Sequence, residues 1–156
     1  MNIKIIAVGK IKEAFLKSAI AEYEKRLKPY CSITTTEISP ENILDESLAE
    51  KYKELEAERI KQHIKPESFV ITLEIQGKLL SSEELAKKFK IISNEGTNEI
   101  ILIIGGANGL HKDISEISNL KLSFSKMTFT HQMIRVLLLE QIYRAYKINQ
   151  NEPYHR

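Results

Sequence analysis

The run Ile100-Ile101-Leu102-Ile103-Ile104 constrains this chain more than any other stretch. It is apolar at every position, so it has no face to turn to water. A short strand of that kind belongs at the centre of a parallel sheet covered by helices on both sides. The run breaks into a glycine-rich turn, Gly105-Gly106-Ala107-Asn108-Gly109-Leu110, followed by His111-Lys112-Asp113. A second short extended segment leads to a second polar turn, Phe124 to Gln132, and a long apolar helix closes the stretch at Tyr146. Two polar turns thus hang from buried elements within a short span of chain.

The remaining residues supply the strands and helices that such a centre requires. Asn2 to Val8 reads as a buried strand ending at Gly9, and as a strand it is no signal peptide. Glu13 to Leu27 reads as a helix, with Leu16, Ile20, Tyr23 and Leu27 on one face and Pro29 ending it. Ser32 to Ile38 is β-branched and fits a strand, and Pro40 to Asn42 a turn. From Asp45 to Ile64, Leu48, Tyr52, Leu55, Ile60 and Ile64 recur at near-helical spacing among Glu and Lys, which reads as a solvated surface helix without chemistry. Phe69 to Ile75 is a strand that Gln76-Gly77-Lys78 breaks. Ser81-Ser82-Glu83-Glu84 is a capping box opening a helix to about Ile92, which Asn94-Glu95-Gly96 ends. Lys112 to Ser118 is a short helix, Leu120 to Phe124 a short strand, His131 to Ile148 the last helix and Asn149 to Arg156 a tail. Alternating strands and helices predict an α/β fold with a mainly parallel sheet flanked by helices. The 156 residues suit a single domain, 1–156.

Composition excludes some classes. No apolar run approaches the roughly 20 residues that span a bilayer, so no membrane partner is expected. The one cysteine, Cys31, cannot form an internal disulfide and reads as core, which points to a cytoplasmic location. A net charge of +2 is too weak for a protein that grips nucleic acid by electrostatics alone. The charge is uneven: residues 105–156 hold seven Lys or Arg against four Asp or Glu, a net of +3, which leaves −1 for the first 104. Chance scatter and a mildly basic face for a polyanion both fit that excess.

The last helix is apolar around its whole circumference, with Met133, Ile134, Val136, Leu137, Leu138, Leu139, Ile142, Tyr143, Tyr146 and Ile148 encircling the axis. Arg135 and Arg144 project from opposite sides. A helix of this kind needs cover all round, and a second subunit is the expected cover beyond the sheet. The chain is therefore expected to be an obligate homodimer.

Ligands of open parallel sheets bind beyond the carboxyl ends of the strands, where Leu73 to Gly77, Gly105 to Leu110 and Phe124 to Thr130 fall. The glycines suit either close approach of a ligand to the backbone or a plain strand-to-helix turn. There is no Gly-x-x-x-x-Gly-Lys-Ser/Thr, which excludes a P-loop. Gly-Gly-x-x-Gly is no dinucleotide fingerprint. No Cys/His grouping has zinc spacing, so no metal is expected.

Several segments together resemble one family. They are Ala7-Val8-Gly9-Lys10, Ala21-Glu22-Tyr23, Leu73-Glu74-Ile75-Gln76-Gly77-Lys78, Ile104-Gly105-Gly106-Ala107-Asn108-Gly109, Ser123-Phe124-Ser125-Lys126-Met127-Thr128-Phe129, His131-Gln132 and Pro153-Tyr154-His155-Arg156. Over the whole chain these are similar to the large-subunit ribosomal RNA methyltransferase H family of the SPOUT superfamily. One departure stands at Thr130, where that family usually has proline, so a loop constraint is lost.

The resemblance implies a deep trefoil knot over about residues 100–150. It implies S-adenosylmethionine as methyl donor, contacted at Leu73, Gly105, Phe124, Ser125, Lys126, Met127, Thr128 and Phe129. The implied reaction is methylation of N3 of a pseudouridine in a 23S rRNA stem-loop, in the assembled ribosome. Arg144, Tyr154, His155 and Arg156 would be the catalytic groups, with the tail completing the partner subunit's site. Leu73, Ile104 and Met127 could line an apolar slot for adenine. Arginine could stabilise the charge that an imide gains on losing its proton, and Tyr154 and His155 could orient the base or relay that proton.

Plainer readings stand beside these. In the plainer reading Arg144 only pairs with Glu140, one turn earlier. His131 reads better as a helix cap or a structural hydrogen-bonder than as a base, and His111 fits either loop structure or an RNA contact. A chain end is ordinarily inert. Two rival functions follow: a non-catalytic ribosome-binding factor with a purely structural glycine turn, and a histidine-dependent hydrolase. The hydrolase lacks a Ser or Cys elbow and a paired carboxylate.

Overall fold

The computed structural model describes residues 1–42 and 44–155. Five strands, β1 (Asn2–Val8), β2 (Ser32–Ile38), β3 (Phe69–Leu79), β4 (Glu99–Ile104) and β5 (Leu120–Ser123), form one sheet in the order β2-β1-β4-β3-β5. Every neighbouring pair is parallel. The helices are α1 (Ala14–Leu27), α2 (Ala49–Lys61), α3 (Ser82–Asn94), α4 (Lys112–Ile117) and α5 (Met133–Asn149). This is the α/β fold with a flanked parallel sheet that the alternation of elements predicts.

β4 lies at the centre, as its composition requires. Ile100, Ile101, Leu102 and Ile103 are wholly buried. Alternate side chains enter two separate cores. Ile100, Leu102 and Ile104 pack with residues of α1, α3 and α5, whereas Ile101 and Ile103 pack with residues of α2 and α4. Each such side chain contributes about 1.5–3 kcal/mol relative to exposure. The capping box at α3 forms as expected: Ser81 Oγ accepts the Glu84 N–H at 3.1 Å, and the Glu84 carboxylate accepts the Ser81 N–H at 2.7 Å.

Three expectations need correction. First, Gln76-Gly77-Lys78 does not break β3, which continues to Leu79. Leu73 and Lys78 both pair with Leu122, so the four residues between them bulge out and the strand then rejoins β5. Gly77 permits this, because a Cβ there would lie 2.8 Å from the backbone of Lys121 and Leu122. Second, α2, which reads as a solvated surface helix, is buried along one face. Ala57 and Ile60 are buried with Glu56, while Leu48 and Leu55 stay 41% exposed. The Glu56 carboxylate is accommodated there by accepting the Glu41 N–H at 3.0 Å. Third, α5 begins at Met133, so His131 lies in the preceding turn and caps nothing.

α5 packs against the sheet between α1 and α3, burying Leu138, Leu139, Ile142 and Ala145. Helices of the same chain therefore cover part of the circumference for which a second subunit was expected. Met133 remains exposed, and Val136 and Leu137 are half-buried. Among the described residues no helix is long and apolar enough to cross a membrane.

Candidate functional site

The sheet register brings the predicted donor loops to one edge. Ala7 pairs with Ile104, Ile104 with Leu73 and Leu73 with Leu122. Leu73 therefore lies level with the last residue of β4, next to Gly105 and one residue ahead of the bulge. Phe124 follows β5 at the same edge.

The glycine turn is shaped by its own packing. A Cβ on Gly105 would sit 2.8 Å from the Gly109 backbone, and one on Gly106 would sit 3.2 Å from Val8 Cγ1. Gly109 has φ +76° and donates its N–H to the Gly106 carbonyl at 3.0 Å. The second loop is pinned at its start. Ser123 Oγ donates to the Ser125 carbonyl at 3.0 Å, and Ser125 Oγ accepts the Met127 N–H at 3.0 Å. Lys126, Met127, Thr128 and Phe129 are exposed, Met127 by 76%, so its side chain lies outside any enclosed slot beside Leu73 and Ile104.

A cavity of about 370 Å³ opens between the start of α3, the end of β5 and α5. Leu80, Leu85, Leu122 and Leu137 give it apolar walls, Phe124 and Phe129 add rings, and Ser82, Ser123 and Gln141 add polar groups. A larger cavity of about 690 Å³ lies at the other end of the sheet, beside Met1, Lys28 and Cys31. It touches none of the expected site residues. The smaller one lies where parallel sheets bind ligands, so position outweighs size here. Burial raises the pKa of the Cys31 thiol, which suits a packing role.

The tail is anchored on its own chain. Tyr30 Oη and Lys147 both donate to the Glu152 carboxylate, the tyrosine at 2.7 Å. Beyond it Tyr154 Oη donates to Glu140 Oε1 at 3.0 Å, and its ring meets that of Tyr143 edge-on at 4.8 Å. Arg144 donates to the same Oε1 from Nε at 3.1 Å and Nη2 at 2.6 Å, with its guanidinium 4.7 Å from the Tyr154 ring centroid. That bonding raises the Arg144 pKa, while burial raises that of the Tyr154 phenol. His155 Nδ1 lies 3.3 Å from Arg144 Nη1, and its Nε2 lies 2.7 Å from Glu83 Oε1. Glu83's own backbone N–H, then His155, hold that carboxyl down to about 2.

The structure thus brings Arg144, Tyr154 and His155 together; Arg156 lies outside the described residues. The pairing of Arg144 with Glu140 is present, but it is one arm of a larger network. Gln141 Nε2 donates to Glu140 Oε2 at 2.7 Å, and Ser82 Oγ donates to Gln141 Oε1 at 2.7 Å. Since Ser82 and Gln141 line the smaller cavity, hydrogen bonds run unbroken from its wall to the tail. Glu140 and Gln141 escaped sequence reasoning as site residues. Their signal was the one-turn spacing of Glu140 and Arg144, which indicated a pair without indicating a hub. Ser82 and Glu83 carry no sequence signal beyond that of a helix start.

The other histidines have structural places. His111 Nδ1 accepts the Asp113 N–H at 3.3 Å and caps α4. The His131 ring packs 3.3 Å from where a Gly9 Cβ would be. The capping role at α5 falls to Thr130, whose Oγ1 accepts the Met133 N–H at 3.2 Å and whose carbonyl accepts the Ile134 N–H at 3.0 Å. Proline at that position could offer only the carbonyl. Neither ring is poised beside a nucleophile, so nothing in this geometry favours the hydrolase reading.

A family model described as predicted SPOUT methyltransferase matches residues 1–155. Among solved structures, a methylase family protein from Haemophilus influenzae Rd KW20 aligns with a TM-score of 0.57 at 15% identity, covering 99% of this chain and 70% of that one. A methylase family protein from Neisseria gonorrhoeae aligns with a TM-score of 0.56 at 11% identity, covering 99% of this chain and 85% of its own. At those identities the structural likeness is one of fold.

Proposed function

The chain belongs to the SPOUT methyltransferase family, and on that premise we propose that it methylates N3 of a pseudouridine in a 23S rRNA stem-loop of the assembled ribosome, using S-adenosylmethionine. In this reading the segment from about 100 to 150 is threaded as a trefoil knot. Leu73, Gly105 and the run Phe124 to Phe129 hold the donor. The enzyme works as a cytoplasmic homodimer, and Tyr154, His155 and Arg156 of one protomer serve the donor pocket of the other. The observation that carries the methyl-transfer reading is the sheet register, which brings Leu73, Gly105 and the start of the Phe124 loop to one edge, where Phe124 lines the smaller cavity.

The residues suit the donor. A volume of about 370 Å³ falls within the range of small-molecule sites, and apolar walls with a few hydroxyl and amide groups fit a nucleoside. The glycine turn and the Phe124 loop offer backbone polar groups at the same edge. S-adenosylmethionine, when bound, supplies a methyl group already activated on a sulfonium.

The chain's task is then the acceptor. An imide N3 is protonated at neutral pH and must lose its proton before it attacks. The flanking carbonyls take up the charge, and a guanidinium held rigidly by Glu140 is suited to stabilise it. One tautomer of neutral His155 satisfies both of its contacts: Nε2–H donates to Glu83 and Nδ1 accepts from Arg144. Nδ1 is occupied by Arg144 in this arrangement, so it takes a proton only where the Arg144–His155 contact opens while Glu140 keeps its hold on the guanidinium. General-base help of that kind contributes on the order of 10²–10⁴-fold. Fixing methyl and acceptor in line matters as much.

The test uses ribosomes from cells lacking this protein. Mass mapping of their 23S rRNA should reveal one pseudouridine short of a methyl group, and purified protein with S-adenosylmethionine should restore it. No restoration overturns the reaction. Calorimetry with S-adenosylmethionine separates the enzyme from a non-catalytic ribosome-binding factor, which would not bind it. The weak net charge further predicts that protein-free stem-loop RNA is a poor substrate, so its efficient methylation would refute the need for an assembled particle.

A further inference from the structure

We propose that the β1–α1 loop and the first turn of α1, Gly9 to Phe15, form a docking surface for the unpaired RNA that flanks the methylated base. The inference rests on the RNA methyl transfer proposed above and assigns that site a second contact region.

The β1–α1 loop is far from the donor loops in sequence but is tied to the segment that leaves them. Arg135, 3% exposed, donates to the Gly9 carbonyl and, at 2.7 Å, to Glu37. Gln132 Oε1 accepts the Lys12 N–H at 3.2 Å. Gly9, at φ +96°, lets the His131 ring approach to where a side chain would stand. These contacts hold the loop beside the run Phe129 to Arg135, which begins at the last of the expected donor-binding residues.

What the loop presents there is cationic and aromatic. Lys10 and Lys12 are exposed, and among the described residues neither ammonium makes an ion pair. Phe15 is 65% exposed on the first turn of α1, and Phe129 is 44% exposed across the junction, on the loop that also carries Lys126. Glu13 is the one acid between Gly9 and Phe15. α1 begins without a side-chain cap hydrogen bond, and its N-cap residue is Glu13, so the segment from Gly9 to Phe15 carries a net charge of +1 at the start of the helix. Ammonium groups that follow a phosphate backbone, interleaved with rings that stack on bases, are how proteins bind unpaired strands. An acidic protein would answer the lysines but would gain little from the exposed rings of Phe15 and Phe129.

The experiment compares the intact wild-type protein with Lys10→Ala/Lys12→Ala and with Phe15→Ala. Methyl incorporation into purified ribosomes gives KM and kcat, salt titration gives the slope of log KM against log salt, and calorimetry gives S-adenosylmethionine affinity. The lysine variant should raise the ribosome KM on the order of tenfold and flatten the salt slope by about 1.4, from about 0.7 per lost phosphate contact. Phe15→Ala should raise KM with the slope unchanged. In both, kcat at saturating ribosomes and donor affinity should match wild type. Unchanged KM and slope in the lysine variant overturn the surface while leaving the reaction intact. Loss of donor binding in either variant also overturns it. Salt-sensitive ribosome binding by wild type, lost in the lysine variant but never accompanied by methyl transfer, supports the surface and overturns the reaction.

Discussion

Glu140→Ala would remove the acceptor on which the tail cluster converges. Two Arg144 nitrogens and the Tyr154 hydroxyl donate to one of its oxygens, and the Gln141 amide donates to the other. Hydrogen bonds to a charged group contribute about 1.5–3 kcal/mol where water is excluded. Here the Glu140 and Arg144 side chains keep 16% and 24% of their exposure, so water replaces part of what is lost. A net destabilisation of about 2 kcal/mol follows, which for a chain of this size lowers Tm by about 4–8 °C. The effect on turnover has a different origin. Glu140 touches no donor loop, so S-adenosylmethionine should bind with wild-type affinity. Arg144 and Tyr154 would lose their fixed places, and misplacement on the ångström scale lowers kcat on the order of 10²-fold. Glu140→Gln keeps an acceptor but no charge, so it should fall between the two. Thermal unfolding, donor calorimetry and methyl incorporation into ribosomes well below the lowered Tm provide the readouts. A Glu140→Ala protein that melts early yet turns over at the wild-type kcat would refute the role given to this network. An unchanged Tm would refute the energetic reasoning.

Four further outcomes are expected. Gly105→Val should lose donor binding, because its side chain must displace Gly109, and a chain lacking Tyr154 to Arg156 should bind donor without turning over. If each tail serves the partner's pocket, a randomly paired equal mixture of these two inactive chains should recover about a quarter of wild-type activity; no recovery would mean that the tail serves its own chain. Burial raises the Glu56 pKa, so the folded state holds that proton more tightly than the unfolded state. Its contribution is therefore present below the unfolded pKa and lost as pH rises through the folded value. Glu56→Gln should remove this loss, so urea unfolding should show a stability gain over wild type that is larger at pH 8 than at pH 4. A gain independent of pH would show that the carboxyl is not perturbed.

The parts of the fold that were legible in sequence are those where local chemistry and tertiary packing agree. β4 could be placed because five apolar residues leave no solvent face, and α3 because its capping box satisfies its own first turn. β3 was misjudged because Gly77 has two uses that look alike in a sequence: glycine ends strands, and glycine lets two strands approach closely across a bulge. The buried face of α2 is hidden because its dense charge reads as a solvated helix. Its buried stripe includes Glu56, whose partner Glu41 is distant enough in sequence to give no periodic signal. At the site, the edge shared by Leu73, Gly105 and Phe124 followed from the rule for parallel sheets. The junction of α3, α5 and the tail did not, because Ser82, Gln141 and His155 become neighbours only when three separated elements pack together.

The strand order has a consequence for how the fold is reached. β1 and β3 share no edge; they are joined only through β4, which pairs Ile3 with Ile100 on one side and Phe69 with Ile100 on the other. A chain growing from its N-terminus can pair β1 with β2 early, but it must keep the other edge of β1 open until Ile104 has been made. Closing so long an intervening loop costs entropy before any contact repays it. Until then an apolar, unpaired edge containing Ile3, Ile5 and Ala7 is available to any other extended chain. Insertion of β4 is therefore expected to be the late, committing step of folding, and nascent chains stalled short of it are expected to be the most exposed to misassembly.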